Sequence, residues 1–397
     1  MNKPAIEGGA PVRTNRISYG HQFIDEDDIK AVEAVLRSDF LTCGPEIDKL
    51  EKKLCDITGA KYAVLCANGT AALHIACLAA GVGEGDEVIT TPITFAASAN
   101  CALYCGAKPV FADINEETYN LDPAEAEKKV TSKTKAIIPV DYTGQAAELK
   151  KFRDIANKHN LVFIEDAAHS IGTIYDGNPV GSIADMTTFS FHPVKTVTGG
   201  EGGAVLTNNE EYYKKLLLYR AHGITRDTSL MERESDGPWY YEQVALSTNY
   251  RMTDMQAALI NSQLNKLKRF SDRRKEIVAK YNEAFSKMPE LFVQKEIPES
   301  DTTRHLYILR IKPEKLTIDR AKFFEAMSKE GIGCNVHYIP VYRHPYYEHL
   351  GYKKGLCPKA EKLYSEIMSL PLYPAMTDKD VDDVIEAVTK LVDYYRK

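Results

Sequence analysis

Seven short strand-like runs, at 62–66, 87–91, 109–112, 136–140, 161–165, 186–191 and 204–207, are mostly separated by helical or turn segments. Alternation of this kind predicts an α/β fold with a largely parallel sheet and helices on both faces. In such a sheet, ligands and chemistry collect where the strands end, at their carboxyl edge. The turn Gly81-Val82-Gly83-Glu84-Gly85-Asp86 precedes a strand and lacks the G-x-G-x-x-G spacing after one. A dinucleotide-binding fold is therefore disfavoured.

Two of the strand ends carry residues with chemical potential. The run Thr188-Phe189-Ser190 ends in a hydroxyl, a turn stiffened by Pro193 presents Lys195, and Gly199-Gly200-Glu201-Gly202-Gly203 follows. A lysine placed there can lose its charge by desolvation and act as a nucleophilic amine, as covalent attachment to a carbonyl cofactor requires. An isolated lysine after a strand is ordinarily a surface residue, and only its neighbours argue otherwise. About thirty residues upstream, Leu161-Val162-Phe163-Ile164 runs into Glu165-Asp166-Ala167-Ala168-His169. Asp166 suits pairing with a protonated pyridine nitrogen, or it is a helix N-cap. His169 suits donation to a phenolate oxygen of the same ring, or it is an ordinary helix residue.

A phosphate site is suggested near the front of the chain. Tyr62 to Cys66 reads as a strand, Ala67-Asn68-Gly69-Thr70 as a turn and Ala71 to Leu78 as a helix. Gly69 and Thr70 then lie at a helix N-terminus, where free N–H groups and the helix dipole favour an anion. The Ser190 hydroxyl would hold the same phosphate from the other side. Phe95, placed where the next helix opens after the strand ending at Val88-Ile89, is positioned to stack on a flat cofactor or to pack in the core.

Taken in order, these motifs and Asn249-Tyr250-Arg251-Met252 resemble the DegT/DnrJ/StrS sugar aminotransferases, fold-type I enzymes dependent on pyridoxal 5′-phosphate (PLP). The resemblance runs from Ile17 to Pro374. It implies the aspartate aminotransferase-like fold, with a large domain built on a seven-stranded, mainly parallel sheet and a smaller C-terminal α/β domain. It also implies that Lys195 carries PLP covalently and shuttles protons, and that Asp166 pairs with the pyridine nitrogen. By the same resemblance Phe95 stacks on the ring, His169 lies near its phenolate oxygen, and Gly69, Thr70 and Ser190 hold the phosphate. Asn249, assisted by Arg251, matches a position that reaches the phosphate of the neighbouring subunit, which implies a homodimer with shared sites. His169 stands where many members have glutamine; both donate a hydrogen bond. Lys195 separates this chain from the family's dehydratase branch, where a histidine replaces the lysine.

Within the family, Ser190 to Lys195, Gly237-Pro238-Trp239-Tyr240-Tyr241-Glu242 and His337-Tyr338-Ile339-Pro340-Val341-Tyr342 are similar to the branch that serves pseudaminic acid biosynthesis. That branch aminates a UDP-linked 4-keto-6-deoxy-N-acetylhexosamine of the L-arabino configuration, and L-glutamate is the implied amino donor. Tyr19, His21, Tyr240, His337, Tyr338 and Tyr342 are the substrate candidates: the resemblance places their segments around the nucleotide-sugar cleft, and each joins a flat apolar face to a polar tip. With 23 tyrosines in the chain, many such residues must be core or rim instead. The alternatives are another UDP- or dTDP-linked 4-keto sugar as substrate, and a PLP-binding regulator without turnover.

The 397 residues are long enough for two domains, expected at 1–262, including an N-terminal arm, and 263–397. Fifty basic and 56 acidic residues give a formal charge of −6 with no basic stripe, which disfavours a nucleic-acid partner. The eight cysteines include no CxxC pair and no His-Cys cluster at zinc spacing, so no metal is expected. Several fall in apolar stretches, as buried thiols of a reducing compartment would. No apolar signal core appears in residues 1–11 and no later run is long enough to span a bilayer, so the expectation is a soluble cytoplasmic protein. Helical periodicity is expected at 25–37, 45–57, 320–327 and 378–395, a strand at 306–311, and one long helix at 253–287. Residues 222–242 lack clear periodicity and read as a mobile loop near substrate or a surface excursion.

Overall fold

The computed structural model describes residues 3–397; residues 1 and 2, part of the expected arm, lie outside the described residues. All seven expected strands form, within two residues of the apolar runs: β1 (Tyr62–Cys66), β2 (Glu87–Thr90), β3 (Lys108–Phe111), β4 (Thr134–Ile138), β5 (Val162–Asp166), β6 (Met186–Ser190) and β7 (Gly203–Thr207). They make one sheet in the order β1-β7-β6-β5-β4-β2-β3. Only β7 runs against its neighbours; the other pairings are parallel.

Alternate residues of each strand enter different cores, because successive side chains point to opposite faces. Leu65, Ile89, Ile137, Phe163, Phe189 and Leu206 pack on one side with α2 (Pro45–Thr58) and α5 (Leu149–His159). Val64, Val88, Ala136, Ile164, Met186 and Val205 pack on the other with α3 (Gly69–Ala79) and α4 (Ala97–Tyr104). Burial on both faces is why these strands read as continuous apolar runs rather than alternating ones.

The expected helix at 253–287 is two helices, α6 (Asp254–Leu264) and α7 (Leu267–Phe285). The chain tightens at the break, with i→i+3 bonds from Asn265 N to Ser262 O and from Lys266 N to Gln263 O. Lys266 turns inward there to pair with Asp25 and Asp28 at the N-terminus of α1 (Glu26–Leu36). After α7 comes a three-stranded antiparallel sheet of β8 (Leu291–Val293), β9 (Tyr307–Ile311) and β10 (Ile367–Leu370). It shares a core with α7, α8 (Arg320–Lys329) and α9 (Asp378–Tyr395). A further apolar cluster joins Ile93, Phe111 and Tyr142 to Leu306, Val341, Tyr342 and Ile367, so the two sheets' units are packed together.

The described arm residues, grouped with the large domain on sequence, pack instead against this second unit. Ile17 lies in its core and bridges to Ile332. Glu330, fully buried, accepts from Ala5 N at 2.8 Å, Val12 N at 2.9 Å and Lys390 Nζ at 2.9 Å. One carboxylate thus closes both the arm and α9 onto the end of α8. Among the described residues no helix is long and apolar enough to cross a membrane. Glu330→Ala strands the buried Lys390 ammonium and two partly buried N–H groups, and is predicted to cost about 3–5 kcal/mol. Urea unfolding reads that loss, and limited proteolysis should find new cuts within the arm.

Candidate active site

Asp166 is the last residue of β5, and in the parallel register with β6 its partner is Thr188, two residues before Ser190. The strand ends therefore set a carboxylate and a hydroxyl side by side at the carboxyl edge. Asp166 is almost fully buried. Its Oδ2 accepts from Ser98 Oγ at 2.6 Å and its Oδ1 from Ala168 N at 3.2 Å. The second bond is the turn contact that the capping alternative anticipated, but no helix follows. Burial raises the Asp166 pKa, against the pull of the Ser98 bond, the Ala168 bond and the Lys195 charge.

Lys195 follows β6 by a short turn in which its N–H donates to His192 O at 2.9 Å. Desolvation in the cavity wall lowers its pKa to about 8 despite the opposing pull of Asp166. At that value a substantial neutral fraction exists near neutral pH, which an ordinary surface lysine lacks.

Opposite stands the N-terminus of α3. Asn68 caps it, accepting from Ala71 N at 2.8 Å, and the earlier N–H groups have no intrahelical partner. A Cβ on Gly69 would lie 2.9 Å from Ser190 Cβ and 3.1 Å from its Oγ, so glycine is what allows the helix to approach the β6 hydroxyl. Gly203 serves the same junction: a Cβ there would collide with Asn68 O at 2.2 Å.

The fourth wall is aromatic and imidazole-rich. His169 is buried, with Nε2 3.3 Å from the Tyr338 hydroxyl and its ring 4.4 Å from that of His305. Its Nδ1 has no partner within the protein. Burial, with Lys195 and His337 adding to it, holds the His169 pKa well below the usual value, so the ring is neutral. Burial and Lys195 likewise lower His337 to about 4. His337 is fixed by Ser369 Oγ at 2.7 Å on Nδ1, and its ring lies 5.2 Å from that of Tyr19.

Ten of the residues expected from sequence thus line one cavity of about 600 Å³: Lys195, Asp166, Gly69, Thr70, Phe95, His169, Ser190, Tyr19, His337 and Tyr338. Phe95 lies in the turn before α4 and is 63% exposed, which sets aside the core alternative for it. The other five lie elsewhere. Tyr342 corrects an expectation: it is fully buried behind the site, its ring 5.6 Å from that of Phe111 and its hydroxyl donating to Glu361 Oε1 at 2.6 Å. His21 is exposed, 6.0 Å from the Tyr373 ring. Tyr240 donates to Glu242 Oε1 at 2.9 Å within the 222–242 excursion, and Asn249 and Arg251 are exposed outside the cavity.

Sequence reasoning missed Ser98, Asn68, Asn335, His192 and Glu201 as cavity residues. Asn68 was legible as an N-cap candidate just before Gly69. Ser98, one turn after Phe95, has no local signal of its contact with Asp166.

The residues present fit a flat, phosphate-bearing aldehyde. A helix N-terminus and two hydroxyls suit the phosphate, a carboxylate with spare acceptor capacity suits a ring nitrogen, and the His169 side of the cavity suits a ring substituent. With the lysine at the sheet's carboxyl edge, this is the arrangement of a PLP-dependent transferase of fold type I. The DegT/DnrJ/EryC1/StrS aminotransferase family model matches residues 22–389, and the chain belongs to that family. It is 41% identical to the spore coat polysaccharide biosynthesis protein SpsC of Bacillus subtilis, over 96% of this chain and 98% of that one. Identity is 36% to the UDP-4-amino-4,6-dideoxy-N-acetyl-β-L-altrosamine transaminase of Campylobacter jejuni, over 96% of this chain and 99% of the relative. Among solved structures, Helicobacter pylori PseC, an aminotransferase of pseudaminic acid biosynthesis, superposes with a TM-score of 0.89 at 31% identity, covering 96% of this chain and all of that one. The chain is a nucleotide-sugar aminotransferase and uses PLP, as the family does.

The lowered Lys195 pKa predicts how apoprotein captures PLP. The reactive neutral amine is lost as pH falls through about 8 and is nearly fully present above it. Stopped-flow absorbance should therefore show a capture rate rising from pH 6 to 8 and then levelling. A rate still climbing towards pH 10.5 would mark an ordinary lysine.

Proposed function

We propose that the chain moves an amino group from L-glutamate to C4 of UDP-2-acetamido-2,6-dideoxy-β-L-arabino-hexos-4-ulose, in pseudaminic acid biosynthesis. The observation that carries this reading is the meeting of Lys195 and Asp166 in a cavity also lined by His192, Val194, His337 and Tyr338. Those four come from the segments that resemble the pseudaminic acid branch. The Campylobacter transaminase and the Helicobacter PseC structure support the same substrate class. A second cavity of about 660 Å³ adjoins the first through Thr94, Phe95, Val336 and Tyr338, and gives room for the nucleotide part of such a substrate.

Lys195 holds the cofactor covalently, Gly69, Thr70 and Ser190 hold its phosphate, and Phe95 covers its ring. When bound, PLP supplies an electron sink for the carbon that loses its proton. Asp166, anionic against the ring nitrogen, keeps a proton there. His169, a neutral imidazole on the cavity wall, would lie near the phenolate oxygen. Lys195 Nζ takes the proton from the donor's α-carbon in one half-reaction and delivers one to sugar C4 in the other. Tyr19, His337 and Tyr338 wall the side where the sugar enters.

The partner's site is completed by Asn249, helped by Arg251, in a homodimer. Both are exposed here, on a segment that also leaves Trp239 70% exposed. The higher identity to SpsC favours a second reading, the same chemistry on another UDP- or dTDP-linked 4-keto sugar.

Lys195→Ala is predicted to keep measurable PLP binding and to lose turnover by a factor of at least about 10⁴; wild-type rates in that variant would end the assignment. Asn249→Ala should lose PLP more readily, and mixing it with Lys195→Ala should restore activity if sites are shared. Absence of complementation contradicts the shared site. The substrate is tested by adding 4-keto sugars to pyridoxamine-loaded protein. Return of the visible cofactor band with the L-arabino UDP sugar supports the first reading, and return only with the D-xylo or a dTDP sugar supports the second.

A further inference from the structure

Two buried hydroxyls lead to the Asp166 carboxylate. Thr94 lies in the turn before α4 and Ser98 in the first turn of that helix, with Phe95 between them in sequence. The hydroxyl oxygens are 2.8 Å apart, and Ser98 Oγ lies 2.6 Å from Asp166 Oδ2. Both residues are almost fully buried, and Thr94 lines both cavities. Hydroxyls at the start of a helix ordinarily cap its free N–H groups. Here the cap position is Ala96, without a side-chain cap bond. Among the described residues the two hydroxyls make only the bonds just given.

A hydroxyl has one proton to give. Ser98 gives its proton to Asp166, so in the bond between the two hydroxyls Thr94 is the donor and Ser98 the acceptor. Donation therefore runs one way, from Thr94 through Ser98 to the carboxylate. We propose that Thr94 and Ser98 are positioning residues, a two-hydroxyl relay that holds the Asp166 carboxylate ionised for the cofactor's ring nitrogen. This role rests on the pairing of Asp166 with that nitrogen.

At 2.6 Å, the Ser98 bond has the length of a hydroxyl donating to a carboxylate anion. Donation from Thr94 polarises the Ser98 O–H and strengthens it as a donor. Burial raises the Asp166 pKa, and the Ser98 bond is the largest pull against it, ahead of the Ala168 N–H and the Lys195 charge. The other titratable groups around this carboxylate are Tyr338 and the neutral His169 on the cavity wall, and Asp141 and Glu165 behind it. Neither hydroxyl bonds to any of these four. Loss of the Ser98 donor leaves Oδ2 without a partner. The carboxylate then competes for the proton that it otherwise leaves on the nitrogen.

The test makes two readings. One is the nitrogen-15 shift of ring-labelled PLP in the holoenzyme at pH 7. The other is the carbon-13 titration of the Asp166 carboxyl in the full-length apoprotein, assigned by its loss in Asp166→Asn. Ser98→Ala should raise the Asp166 pKa by about one to two pH units and move the nitrogen toward its unprotonated shift. Thr94→Val, which keeps the shape and removes the proton donor, should do both to a smaller extent, and Thr94→Ser should do neither. Because Thr94 acts through Ser98, Thr94→Val should add nothing in the Ser98→Ala background. An Asp166 titration unchanged in Ser98→Ala, or a Thr94→Val effect undiminished in that background, overturns the relay. The expected rise beside an unprotonated wild-type nitrogen supports the relay on the carboxylate and contradicts its pairing with the ring.

Discussion

Burying the Asp166 carboxylate is the constraint on which the rest of the site depends. A buried anion costs several kcal/mol unless partners replace its water. Here the partners come from different parts of the chain: the Ser98 hydroxyl from α4, the Ala168 N–H from the turn after β5, and the Lys195 charge from the turn after β6. Holding this one carboxylate therefore requires α4, β5 and β6 to converge at the sheet's carboxyl edge. That convergence is the cavity, with α3 closing it through the Gly69–Ser190 approach.

The same strand presents a second carboxylate to the opposite face, where it would otherwise compete. Glu165 is fully buried, bonded by Thr187 Oγ1 at 2.8 Å, and couples to the equally buried Asp141. Burial pushes Asp141 up to about 7, while burial and the Asp141 charge push Glu165 up, so this pair retains a proton. Asp166 is the carboxylate that faces the cavity. Lys195 and the neutral imidazoles of His169, His305 and His337 complete a wall in which the amine is the cavity's variable charge.

Much of this was legible in the sequence because the signals are local. Strands buried on both faces must be apolar throughout, which made all seven visible, and a residue at a strand end is placed by the strand itself. Asp166, Ser190, Gly69 and Lys195 were found in that way. Contacts between distant segments leave no such mark. Ser98 meets Asp166 across 68 positions, and the arm meets Glu330 across more than three hundred. Lys266 breaks a helix that its periodicity would continue, because its ammonium pairs with α1. Tyr342 shows the converse error: it sits in a motif with His337 and Tyr338, yet its amphipathic ring serves the core as readily as a cleft.

The central claim is that Asp166 keeps the cofactor's ring nitrogen protonated. Its most direct test is the nitrogen-15 chemical shift of ring-labelled PLP bound to the wild-type enzyme and to Asp166→Asn. The account predicts a protonated nitrogen in the wild type from pH 6 to 9 and loss of that proton in the variant. An unprotonated nitrogen in the wild type, or the same shift in both proteins, would contradict it.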